Sequence, residues 1–91
     1  MIYSYKIDVV PVTSTSVFCV QVKVYNNYRR IMHKDYYYTN KKNISLMTEK
    51  CLYNALLIHQ KKTKGLTTEE KEELNKLLSS TFTILKELES E

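Results

Sequence analysis

Near residue 44 the spacing of apolar positions along the chain changes from two to three or four. Residues 3 to 10 alternate, with Tyr3, Tyr5, Ile7 and Val9 on one side of an extended strand and Ser4, Lys6 and Asp8 on the other. Pro11 and the polar run Thr13 to Ser16 break the pattern. It then resumes, with Phe18, Val20, Val22 and Val24 facing one way and Gln21, Lys23 and Tyr25 the other. The pair Asn26-Asn27 tolerates the backbone of a tight hairpin turn, which predicts a third strand from about Tyr28 to Thr39. A two-residue turn there sets Tyr25 opposite Tyr28 and Val22 opposite Ile31, but also Val24 opposite Arg29 and Val20 opposite His33. Such charged positions on a core face call for a bulge that shifts the register, or for an edge strand.

Beyond residue 43 the pattern is helical. Met47, Cys51, Ala55 and Ile58 recur at helix spacing, and Leu52, Leu56 and Leu57 widen the stripe enough to require deep burial. Asn43 or Ser45 is the expected cap and Gly65 the expected stop. Thr67-Thr68-Glu69-Glu70 has the capping-box pattern that starts a second helix, along which Leu74, Leu77, Leu78, Phe82, Leu85 and Leu88 form one face. The expected fold is α+β, order βββαα: a three-stranded antiparallel meander followed by an antiparallel helical hairpin on one face of the sheet. The 91 residues read as a single domain, 1–91, with the sheet in 1–40, the first helix in 43–64 and the second in 67–89.

Composition narrows the function classes. One Gly and one Pro leave no glycine-rich phosphate loop, so dinucleotide-binding and P-loop chemistry drop out. No stretch approaches the roughly 18–20 apolar residues of a membrane helix, and the first ten residues lack the basic head and apolar run of a signal peptide. An intracellular, cytoplasmic location is expected, with no membrane partner. Cys19 and Cys51 read as reduced, packed thiols. Together with His33 and His59, taken as surface histidines, they lack the close spacing of a metal site, so neither metal nor cofactor is expected. No serine sits in a glycine-flanked elbow and no base adjoins either cysteine, which makes a non-enzyme the expectation.

Charge then changes the picture. The net charge is +4, but residues 1 to 64 carry eleven Lys or Arg against three acids, whereas residues 65 to 91 carry three Lys against seven Glu. Residues 25 to 42 hold five of the eight tyrosines and five of the basic side chains. Lys6, Lys23 and Arg30 are expected on the sheet face away from the helices, with Tyr25 and Tyr28 opposed at the hairpin end. Of Tyr36, Tyr37 and Tyr38, at least one must point into the core.

Two stretches support a resemblance. The run SVFCVQVKVYNN followed by TNKKNISLMTEKCLYNALL resembles the strand-strand-strand-helix core of double-stranded-RNA-binding domains, over about residues 3 to 60. That resemblance implies phosphate contacts from Lys41, Lys42 and Lys50. The chain departs from the pattern in lacking a preceding helix, a Gly-Pro-x-His loop and an alanine-rich helix face. Asp8 on the first strand and Glu49 on the first helix weakly resemble the opening of ribonuclease-H-like domains, without the later strands that carry further acids.

The expected function is a non-enzymatic regulator that acts on a nucleic acid or a nucleoprotein complex. Its contact residues would be Lys23, Tyr25, Tyr28, Arg29, Arg30, Lys41 and Lys42. Short low-glycine chains of this kind also suggest a phage or mobile-element inhibitor of host defence. The alternative is a protein-interaction module that homodimerises, or binds a protein partner, through Phe82 and Leu85 of the second helix.

Overall fold

The computed structural model describes residues 2–26 and 31–90, and residues 31–35 by their backbone only. Its elements follow the order β1 (Ser4–Pro11), β2 (Val17–Tyr25), β3 (Ile31–Asn40), a short 3-10 turn (Lys41–Asn43), α1 (Ile44–Lys62) and α2 (Thr68–Glu89). The three strands form one antiparallel sheet in the order β1-β2-β3, and both helices lie to one side of it. This is the α+β meander-plus-hairpin fold that the apolar spacing predicts.

The turn between β1 and β2 closes through Val12 and Val17, whose backbone hydrogen bond is 2.9 Å long. Ser14 takes a positive φ of 62° there, and the Thr15 hydroxyl donates to the Val12 carbonyl while accepting from the Val17 amide. The register that follows sets Val20 opposite Val9, Val22 opposite Ile7 and Val24 opposite Tyr5.

The second hairpin corrects the sequence reading. Val24 pairs with His33, Val22 with Asp35 and Val20 with Tyr37, four residues further along β3 than a two-residue turn at Asn26-Asn27 would give. Tyr25 pairs with Ile31, so Met32 is the additional residue that shifts the register between Val24 and Tyr25. Tyr25 therefore does not face Tyr28, which with Arg29 and Arg30 lies outside the described residues. Both remedies expected from the pattern are present, since β3 is also an edge strand.

The core is built by α1 lying over β2 and β3. Val20, Val22, Val24, Cys51, Ala55, Leu56 and Leu74 are fully buried, with Leu52 and Tyr3 nearly so. The Cys51 thiol lies 3.9 Å from the Val20 carbonyl. Helix α1 needs its wide stripe because it meets the sheet on one side and α2 on the other. Asn40 caps the 3-10 turn through a bond from the Asn43 amide, while Asn43, at the N-cap of α1, makes no side-chain cap bond. Helix α1 ends at Lys62 with Thr63 extended, so Gly65 serves the connection, at φ +75°, and not the helix end itself.

Helix α2 opens with a complete capping box. The Thr67 hydroxyl accepts from the Glu70 amide and the Glu70 carboxylate accepts from the Thr67 amide, each at 3.1 Å. That backbone amide, above all, holds the Glu70 carboxyl below its usual range, with the Thr67 hydroxyl, the Tyr3 phenol and His59 acting in the same direction against the opposing effect of burial. A depressed carboxyl stabilises the fold above its unfolded pKa, and this contribution is lost as pH falls through the folded value. Stability is therefore expected to drop as pH falls below about 4, the ordinary range for Glu. In thermal melts from pH 7 to pH 3, Glu70→Gln removes this part of the drop, and Thr67→Ala costs about 1 kcal/mol at neutral pH.

Candidate nucleic-acid interface

With both helices on one side, the other face of the sheet is open. Strand parity decides what it carries. Val20, Val22 and Val24 point into the core, so Cys19, Gln21, Lys23 and Tyr25 of β2 point away from it. The register then places Lys6 opposite Lys23 and Lys23 opposite Lys34, a row of three lysine positions across the whole sheet. Asp8, Gln21 and Tyr36 form the next row, and Val10, Cys19 and Tyr38 the one after.

Tyr36 and Tyr38 are 54% and 63% exposed, and their rings meet edge to face at a centroid distance of 6.0 Å. Tyr37 has the opposite parity. It packs against the core, and its hydroxyl accepts a 2.8 Å bond from the Asn54 amide on α1. The tyrosine triplet thus divides into one core ring and two surface rings, as strand geometry requires.

Beyond Tyr38 the strand runs into Lys41 and Lys42, both exposed on the 3-10 turn. From the lysine row to this turn the open face extends about 20 Å at the rise of a strand. At the other end of the sheet Ser4, Tyr5, Lys6 and Tyr25 line a shallow hollow. Of the residues expected to bind a partner, Lys23 and Tyr25 share this face and Lys41 and Lys42 lie at its far end. Tyr36 and Tyr38 were not among those residues, although their parity with Lys34 was a sufficient signal.

Elsewhere the geometry separates what the sequence suggested. Asp8 lies on the open face, 3.9 Å from the Lys6 ammonium, while α1, which carries Glu49, covers the opposite face. Burial pushes the Glu49 carboxyl up. Lys50, unlike Lys41 and Lys42, is half-buried on α1. Leu85 is buried in the monomer, so of the two positions expected for self-association only Phe82 is exposed. The Phe82 ring sits 5.9 Å from that of Tyr53, with the Lys86 ammonium 5.3 Å from its centroid.

His59, expected at the surface, is 3% exposed. Its Nε2 lies 3.1 Å from the Tyr3 hydroxyl and its Nδ1 2.9 Å from the Thr63 hydroxyl. The hydroxyl of Tyr3 donates to Glu70 at 3.1 Å, and Glu73 accepts from the Ile2 and Tyr3 amides at 2.7 and 2.6 Å. Since the single phenol proton goes to Glu70, the contact with His59 has Nε2 as donor. Burial, then the adjoining Glu70 carboxylate, push the Tyr3 phenol far above its usual range. This cluster ties the start of β1 to both helices. Among the described residues no three His, Cys, Asp or Glu side chains converge as metal ligands would, and no helix is long and apolar enough to cross a membrane.

Compared with known protein families, curated proteins and solved structures, the chain matches none of them.

Proposed function

We propose that this protein binds single-stranded nucleic acid across the open face of its sheet and acts as a regulator without chemistry of its own. The observation that supports this most is the lysine row. Like charges set directly opposite one another in a sheet are destabilising, and Lys6, Lys23 and Lys34 occupy three aligned positions, with Asp8 the acid paired to the row among the described side chains, close to Lys6. A bound phosphate chain would offset that repulsion, and it would continue past Tyr36 and Tyr38 to Lys41 and Lys42.

The shape of the face favours one kind of nucleic acid over another. The major groove of a DNA duplex admits a helix or a two-stranded ribbon, whereas an open three-stranded face with exposed rings suits bases splayed from a single strand. Phenol rings stack on any base, and lysines that track the backbone add no sequence preference. The acidic first turns of α2 lie in the helical layer on the other side, so the field of the molecule orients a polyanion toward the sheet. Such a role carries an intracellular location with it.

Titrations against single-stranded RNA, duplex RNA and duplex DNA at two salt concentrations test the proposal. The single strand should bind most tightly, with affinity falling steeply as salt rises. Tyr38→Ala should weaken binding by about 1–3 kcal/mol without unfolding the protein. Lys23→Gln should flatten the slope of log affinity against log salt by about 0.7. The absence of binding to all three ligands near physiological salt overturns the reading.

A further inference from the structure

The side of β1 that faces the helices is uncovered. Tyr5, Ile7 and Val9 have the same parity as the buried Val24, Val22 and Val20 opposite them, yet they are 47%, 37% and 41% exposed. The reason is that α1 lies over β2 and β3 and α2 spends its apolar stripe on α1. Helix α2 meets β1 at its start, where Glu73 holds the Ile2 and Tyr3 amides. Ile84, three turns further along that flank, is exposed as well. β1 is moreover an edge strand, with one row of backbone donors and acceptors directed away from β2.

We infer that β1 is the contact between two copies of this chain, which pair edge to edge about a two-fold axis through Ile7 to give one six-stranded sheet. What singles out a second copy is the complementarity of the strand with itself. In an antiparallel pair centred on Ile7, Lys6 of each copy opposes Asp8 of the other, Tyr5 opposes Val9 and Ile7 opposes Ile7. Each is a favourable cross-strand combination, and each is made twice or on the axis itself. The pairing uses Ser4 through Val10 and leaves Pro11, which has no amide proton, just outside.

Other registers lose this match, since centring on Tyr5 or Val9 no longer sets Lys6 opposite Asp8. Centring on Lys6 or Asp8 sets like charges opposite one another, and a shift of one residue turns the apolar positions to the polar face. The other edge strand offers no such match, since Lys34 and Asp35 are adjacent in β3 and never oppose each other in an antiparallel self-pair. A two-fold axis normal to the sheet keeps all four helices on one side. The open faces of the two copies then join, although the inference does not depend on what those faces bind.

The test is sedimentation across a concentration series in the absence of nucleic acid, with folding checked by circular dichroism. Wild type is expected to dimerise. Asp8→Lys sets Lys6 against a lysine at two symmetry-related places and should weaken dimerisation about tenfold or more. The double exchange Lys6→Asp with Asp8→Lys restores opposite charges and should restore the dimer. Ile7→Lys, which places a charge on the axis, should give a folded monomer. A wild type that is monomeric throughout overturns the inference and leaves the edge to a strand from another protein. So does a dimer that Asp8→Lys leaves intact or that the double exchange fails to rescue, as does one dissociated by Phe82→Glu alone, which would place the contact on α2.

Discussion

Leu56→Ala is expected to lower the free energy of unfolding by about 2–5 kcal/mol, measured by chemical denaturation with an unchanged denaturant slope. Leu56 is fully buried where α1 meets the sheet, among Val20, Val22, Val24 and Ala55. Its removal takes away apolar contacts on every side. The cavity left behind collapses little, because the β-branched valines beneath it are stiff at their first torsion and Ala55 is already small. Domains of this size are held by roughly 5–15 kcal/mol in total, so the loss is a large share of the stability. A loss below about 1 kcal/mol would mean that the layer between α1 and the sheet is looser than its burial indicates. Leu57, half-buried beside it, should cost less when truncated in the same way.

Fold and site were legible in the sequence to different degrees. Alternation in residues 18 to 25 and the capping box at Thr67 marked two elements in which local preference and burial agree, whereas alternation in residues 3 to 10 marked a strand whose apolar side stays exposed. The third strand was harder. Its sequence sets Lys34, Asp35 and His33 among tyrosines, and parity alone does not say how many residues the turn before it takes. The register depends on long-range pairing with β2, through Val20 with Tyr37 and Val24 with His33, and no local signal encodes that choice. The lysine row became visible only once the register was known, because Lys6, Lys23 and Lys34 lie far apart along the chain. The alternation of β1 promised a covered strand, but whether a helix lies over it depends on where α1 and α2 come to rest. His59 misled for a related reason: on α1 it is one more polar residue near a helix end, and what buries it is Tyr3, 56 residues away.

The same distant contact gives the second large expected effect. Tyr3→Ala is expected to cost about 3–5 kcal/mol, comparable to the loss of a core aromatic ring, and Tyr3→Phe about 1–3 kcal/mol. The two variants separate what the ring and the hydroxyl contribute. The ring is 2% exposed and meets His59 edge to face at a centroid distance of 5.3 Å, so truncation to Ala opens a void between β1 and both helices. Phe keeps that packing and removes the oxygen that accepts from His59 Nε2 and donates to the Glu70 carboxylate. Buried polar atoms that lose a partner are costly, and here one oxygen serves two groups. Because Glu73 still holds the Ile2 and Tyr3 amides in both variants, the start of β1 should stay in place in Tyr3→Phe. Hydrogen exchange at the first residues of β1 should therefore rise much more in Tyr3→Ala than in Tyr3→Phe. Equal melting temperatures for Tyr3→Phe and wild type would show that the hydroxyl contributes nothing and that the packing of the Tyr3 ring carries its whole effect.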